Sequence, residues 1–295
     1  MIRLAIISEG VNTWPLYVAQ SKRLFEAAGV EVAVTLTGSS VQQLEKLRQG
    51  GPDGYDIGFQ QSDHVVRAVE EGSDLCILMA QAHAPELTLV AAADIHTVAD
   101  LKGKTIAVDG LNTGYSLLLR KLFKDRGFSE AETRLVEFGG SQERFDAMKR
   151  GEGAACFINP PFDLNLLALG FRSLGTSGEF FPTYPGPIAA AKRSWISTHE
   201  AELLAYIRGF NHAYDWLHDP ANTEEAVDLL PKHLQINRDY ARRAVRKIYS
   251  APRPQISADG VRQVIDVVWE AEGYQSPKGA PEKYMDLSYL QKAAA

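Results

Sequence analysis

The chain states one long pattern twice. Lys104 to Phe128 reads KTIAVDGLNTGYSLLLRKLFKDRGF, and Leu4 to Val30 reads LAIISEGVNTWPLYVAQSKRLFEAAGV. Each copy has a short β-rich apolar run, then Gly-Val/Leu-Asn-Thr, then a periodic apolar helix closing near a glycine. Gly10-Val11-Asn12-Thr13 stands against Gly110-Leu111-Asn112-Thr113, and Lys22-Arg23-Leu24-Phe25 against Arg120-Lys121-Leu122-Phe123. The echo continues with VAVTLTGSSVQQLEKLRQG from Val32 and RLVEFGGSQERFDAMKRG from Arg134. Each of these is a strand, a Gly-Ser turn and an amphipathic helix. A third pair sets Tyr55–Phe59 against Ala154–Ile158. Three such signals in one order, offset by roughly 100 residues, specify two similar βαβαβ lobes rather than a solenoid of short repeats.

A length of 295 residues gives each lobe its own core. The expected division is lobe I at 1–90 plus 190–295 and lobe II at 91–189. A helical C-terminal extension should pack on lobe I. The net charge of −6 is spread without long blocks, which argues against a nucleic-acid binder. No apolar run is long enough to insert in a membrane. The two cysteines, Cys76 and Cys156, lie in apolar runs and read as buried free thiols. No signal peptide precedes Arg3-Leu4-Ala5-Ile6-Ile7, which already reads as a strand. The expected compartment is therefore cytoplasmic as written, and periplasmic or lipid-anchored if an export signal was trimmed.

Along the chain, Asn12 or Thr13 is the expected cap of a first helix, with Pro15 in its first turn and Leu16, Ala19, Leu24 and Ala27 on one stripe. Leu75–Ala82 and Leu87–Ala93 are further apolar runs, Ser173–Pro187 reads as loop, and Ile188–Ala191 as a return strand. From Thr198 the text turns helical: 199–218, 222–230, 238–249 and 257–273, with a loose tail after Ser276.

In open α/β sheets ligands bind beyond the carboxyl ends of strands, against helix N-termini whose N–H groups attract polar or anionic oxygen. Two lobes related by the repeat would aim such turns at one cleft. The candidate ligand residues are Asn12, Thr13, Trp14, Ser39, Gln60, Asn112, Thr113, Tyr115, Ser141, Asn159 and Phe162. Trp14, Tyr115 and Phe162 would be aromatic walls, and Trp14→Ala should weaken binding without unfolding the protein. No phosphate-binding loop, metal spacing or nucleophile elbow occurs, so neither cofactor nor metal nor catalytic residue is assigned. Ser141 repeats the turn serine of the first lobe and is read as a helix start, not a nucleophile. Arg144 is the nearest fixed positive charge, which suits a small organic molecule with one carboxylate, sulfonate or neutral polar end.

DLKGKTIAVDGLNTGYSLLLRKLF, followed by a Gly-Gly-Ser helix and GAACFINPPFDLNLLALGF, resembles the type II periplasmic substrate-binding proteins. The resemblance falls in the branch serving nitrate, sulfonate, taurine and pyrimidine precursors. In that family Asp-Leu-Lys-Gly-Lys-x-Ile/Val-Ala-Val opens the second lobe, matching Asp100 to Val108, and the similarity covers roughly 1–230. It implies an α/β, two-lobe fold closing like a hinge on a small organic ligand, with an ABC permease as partner. The same fold carries enzymes. Pyrimidine synthases of this kind have a cysteine-rich motif, which this chain lacks. Desulfinases use a cysteine after the first strand, where this chain has Ser8-Glu9-Gly10. The alternative reading is nonetheless an enzyme, such as a decarboxylase or desulfinase of an aromatic acid, supported by Asp63, His64, His83 and Arg144 near the predicted turns.

Overall fold

The computed structural model describes residues 1–7, 9–81, 87–234, 236–248 and 253–294. Ser8 and His83 lie outside them. The chain runs β1 (Ile2–Ile6), α1 (Trp14–Ser21), α2 (Leu24–Ala27), β2 (Val32–Leu36), α3 (Ser40–Gln49), β3 (Ile57–Gln60), α4 (Ser62–Glu70), β4 (Leu75–Ala80) and β5 (Thr88–Ala91). It continues β6 (Thr105–Val108), α5 (Gly114–Asp125), β7 (Arg134–Glu137), α6 (Ser141–Lys149), β8 (Ala155–Ile158), α7 (Phe162–Ala168), β9 (Arg172–Thr176), α8 (Ser177–Phe180) and β10 (Ile188–Lys192). The helical end comprises α9 (Arg193–Ile196), α10 (Glu200–His218), α11 (Thr223–His233), α12 (Arg238–Ile248), α13 (Ala258–Glu272) and α14 (Ser288–Ala294).

Two compact units result: Met1–His83 with Pro185–Ala258 and Gly279–Ala295, and Ala84–Tyr184 with Asp259–Lys278. The sheet of unit 1 has the order β2-β1-β3-β10-β4, and that of unit 2 the order β7-β6-β8-β5-β9. These are one topology written twice, with β1 and β6, β2 and β7, and β3 and β8 in corresponding places. Register agrees as well: Leu4 faces Ile57 in one sheet, and Ile106 faces Ala155 in the other. Each sheet carries one antiparallel strand, β10 against β3 and β5 against β8. The expected lobe I range of 190–295 includes Asp259–Lys278, which cluster with unit 2 instead. There Gln263 hydrogen-bonds Thr183 and Lys124 pairs with Glu270 at 2.7 Å.

Three elements differ from expectation. The first helix is not continuous, because Arg23 takes a left-handed φ of 53° and breaks it into α1 and α2. The break turns Phe25 inward, while Ala27 of the expected stripe is exposed. Phe25 then stacks on Tyr206 at 5.5 Å and seats against Gly209, where any Cβ would meet its ring at 2.5 Å. Within the expected loop, Arg172–Thr176 forms β9, an edge strand whose Ser and Gly carry little β signal. The tail is anchored rather than loose, since Met285 bridges Ile77 of β4 and Tyr284 is buried.

That anchor is a carboxylate clasp. Glu70 accepts hydrogen bonds from the Tyr284 hydroxyl at 2.5 Å and the Lys283 ammonium at 2.6 Å. Burial pushes the Glu70 carboxyl up, but the bonds from Lys283 and Tyr284 outweigh it and hold the group below its ordinary range. A depressed carboxyl contributes stability above its unfolded pKa, and loses it as pH falls through the folded value. Lys283 is half exposed, so its share of the stability is discounted for solvent screening. Glu70→Gln should cost about 1–2 kcal/mol at neutral pH. Urea midpoints measured down a pH series should show the gap to wild type closing below about pH 4. Both cysteines are free and fully buried, and burial pushes each thiol up to about 12.

Candidate functional site

In unit 1 the C-terminal strand ends gather polar side chains that the core ordinarily excludes. Gln60, the last residue of β3, is buried and donates to Gln43 Oε1 and to the Ser40 carbonyl at 3.3 Å. Gln43 is itself fully buried on α3, one turn before the core residue Leu47. His64 Nδ1 meets Gln60 Oε1 at 2.7 Å. Gln81, just past β4, donates to the Asn12 carbonyl at 3.1 Å, and its own carbonyl accepts from the Tyr214 hydroxyl at 2.5 Å. Asn12 Oδ1, Gln43 Nε2 and Ser62 Oγ are all buried with no hydrogen-bond partner among the described residues. Each such atom carries a desolvation cost of about 1–3 kcal/mol that a suitable ligand group would relieve.

The predicted residues of this unit divide by role. Thr13 is buried and occupies the N-cap of α1, but its side chain makes no capping bond. Ser39 spends its hydroxyl on the Gln42 N–H at 3.3 Å as the cap of α3. Trp14, expected as an aromatic wall, is 0% exposed and ranks among the largest fully buried side chains. Pro15 at the helix start drives that outcome by fixing the entry of α1, whose next residues are also buried. Sequence reading missed Gln43, Ser62 and Gln81. A polar residue on the apolar stripe of α3 was the available signal for the first.

Tyr17 adds an aromatic face close to the turn after β1. Its ring stacks on His233 at 3.8 Å and 3°, with Glu9 lying 3.7 Å from the same imidazole. Burial, reinforced by the Glu9 charge, raises its phenol well above the ordinary tyrosine range. The Asp63 carboxylate of the Asp-His pair is committed to Arg67 at 2.6 Å, while His64 Nε2 stands 3.9 Å away.

In unit 2 the turn after β6 is closed on itself. Thr113 caps α5 by accepting from the Ser116 N–H, and it donates to Asp109 at 2.6 Å. Asn112 is exposed and Tyr115 half-buried. The turn after β7 is built differently. Gly139 takes φ 95°, which only glycine adopts without strain, and Gly140 caps α6. Ser141 donates to Asn159 Oδ1 at the end of β8 and accepts from Arg144 Nη2 at 3.2 Å. Arg144 Nη1 reaches the Gly139 carbonyl at 2.5 Å. Phe162 opens α7 and packs on the core beside Phe145, at 5.8 Å.

A hollow of about 820 Å³ in this unit lies over the first residues of β6 and β7, Thr105 and Arg134, and contains none of the predicted residues. Its lining runs along β7 from Arg134 through Val136 to Phe138. Among the described residues no cluster of His, Cys, Asp or Glu is placed to hold a metal ion. No helix among them is long and apolar enough to cross a membrane.

Residues 11–223 match the family described as NMT1/THI5 like, which covers both units' repeated halves. The chain belongs to the NMT1/THI5-like family. Solved structures share the fold at low identity. The periplasmic aliphatic sulphonate binding protein SsuA from Escherichia coli aligns at TM-score 0.79 and 19% identity, over 97% of this chain and 91% of that one. The periplasmic nitrate-binding protein NrtA from Synechocystis PCC 6803 aligns at 0.79 and 12%, over 99% and 88%. The ligand-binding component of an ABC-type import system from Staphylococcus aureus, with zinc bound, aligns at 0.78 and 13%, over 99% and 98%. Comparison with curated proteins returns no match. The fold of this NMT1/THI5-like chain is thus the two-lobe periplasmic-binding-protein fold that the resemblance implied.

Proposed function

We propose that this chain is a solute-binding protein that captures a small organic molecule, anionic or aromatic, and delivers it to an ABC-type importer. Family membership and the import-system neighbours support that reading. The observation that carries it is the set of buried, unpartnered polar atoms at the strand ends of unit 1: Asn12 Oδ1, Gln43 Nε2 and Ser62 Oγ. They supply an acceptor, a donor and a hydroxyl, a neutral set suited to hydrogen bonds with a polar organic group. Gln60 and Gln81 hold Gln43 and the Asn12 backbone in place.

Thermal-shift screening of aromatic acids, alkyl sulfonates and pyrimidines, with nitrate and phosphate as controls, tests the proposal. At least one organic solute should give a saturable shift, and calorimetry should place its affinity near micromolar, about 8 kcal/mol. Gln43→Leu should weaken that hit by about tenfold while leaving the fold intact. A shift with nitrate or phosphate alone would overturn the organic-solute reading. Release of CO2 or sulfite from a bound hit would replace the binder with an enzyme.

A further inference from the structure

We propose that the hollow of unit 2 is a second binding site, one that takes an amphipathic carboxylate: an apolar chain or ring with a single carboxylate end. The site lies wholly within unit 2 and does not depend on the solute-capture reading. It follows from how the sheet is covered. In the order β7-β6-β8-β5-β9, α6 packs on β6 and β8, and α7 packs on β5 and β9. The edge strand β7 keeps Val136 and Phe138 half-buried, two residues apart and so on one side of the pleat. The hollow there, about 820 Å³, falls within the range of roughly 300–1,000 Å³ in which small-molecule sites occur.

The floor of the hollow is apolar. Phe138 and Phe171 pack against the core cluster that holds Met148, yet both are only half-buried. Leu169, in the turn after α7, is 56% exposed. These side chains and Val136 belong to one lining. An apolar body laid across them would remove from water a contiguous surface that the chain alone leaves partly wet, and that is the main source of affinity for such a ligand.

The charges on the lining set the sign of the occupant. Arg134 opens β7, and its Nε donates to the Thr105 hydroxyl at 3.2 Å. Among the described residues both of its Nη groups are left without a hydrogen bond or ion pair. A guanidinium fork matches a carboxylate through two parallel N–H donors. Lys149, at the end of α6, is exposed and lies 5.2 Å from the centroid of the Phe145 ring, not against an acid. The acid of the lining, Glu152, is held by Arg150 through two hydrogen bonds of 2.9 Å. Positive charge is therefore unspent here and negative charge is neutralised. A carboxylate end would meet the Arg134 fork, whereas a cationic end would meet two like charges.

Octanoate is the test ligand, with octylamine, octanol and acetate as the cationic, neutral and bare head-group controls. At constant ionic strength octanoate should bind the wild-type protein saturably, with a Kd on the order of 1 mM or tighter, and should move the amide NMR signals of Gly151, Gly170 and Phe171. Each control should bind at least about fivefold more weakly. Arg134→Gln should weaken octanoate by at least about fivefold, and Arg134→Lys should recover part of the loss, because it returns the charge without the fork. Ala93→Phe, at an exposed residue of the lining, should block the hollow and leave unchanged any response found in the organic-solute screen. Leu169→Asp supplies a second block should Ala93→Phe fail to fold. Absence of saturable octanoate binding, equal binding of octylamine or octanol, or an octanoate affinity unchanged by Arg134→Gln or by the blocking variant overturns the site. Octanoate binding that survives the block would belong with the captured solutes, so failure of this site and failure of solute capture read out separately.

Discussion

Trp14→Ala should cost about 3–5 kcal/mol of stability, a fall in melting temperature on the order of 10 °C. The indole is 0% exposed at the first position of α1, and that helix packs on α10, the longest helix of unit 1. Truncation removes a large buried surface and leaves a hollow that α1 cannot close. Its next residues, Pro15 to Ala19, are buried as well and leave no room for a shift. Trp14→Phe should recover more than half of the loss, because it refills most of the volume. Circular dichroism melts of both variants would give the comparison. Were Trp14→Ala to melt within about 1 °C of wild type and bind its solute poorly, the residue would be a ligand wall after all.

The same residue shows how far sequence carried the reading. Repetition is a long-range signal that announced two similar βαβαβ lobes, and the structure adds their matching strand orders, β2-β1-β3-β10-β4 and β7-β6-β8-β5-β9. Side-chain roles at equivalent positions did not transfer. Thr113 caps its helix with its hydroxyl, whereas Thr13 is buried and makes no such bond. A Pro after the first motif and a Gly after the second change the approach of the helix, and that difference is local. Nor could periodicity foresee the left-handed Arg23, since one backbone rotation there exchanges which of Leu24, Phe25 and Ala27 faces inward. The polar candidates suffered from a related limit. Gln43 and Arg144 lie on helices where a polar letter ordinarily means solvent, and only tertiary packing reveals that both are buried. Asn159, which follows a strand just before Pro160, accepts a hydrogen bond from Ser141, so two residues named from the sequence meet in the structure.

Asp63→Ala should be as damaging as the loss of Trp14, about 3–5 kcal/mol, for an electrostatic reason. Asp63 sits in the first turn of α4 and is 1% exposed. Its carboxylate holds Arg67 at 2.6 Å, one helical turn on, with the acid on the N-terminal side. Helix dipole and ion pair therefore stabilise the same charge. Removing the carboxylate takes from the mostly buried Arg67 its 2.6 Å partner at the start of the helix. Replacing both residues together, as Asp63→Leu with Arg67→Met, should accordingly be milder than Asp63→Ala alone. A double-mutant cycle by urea denaturation would measure the coupling. The experiment also separates the two functional readings. If Asp63 and His64 formed an acid–base pair, Asp63→Asn would abolish turnover while the protein stayed near wild-type stability. If the carboxylate serves Arg67, Asp63→Asn should lower stability and leave solute affinity per folded molecule unchanged, because Gln60, not Asp63, is the group that links His64 to the polar strand ends.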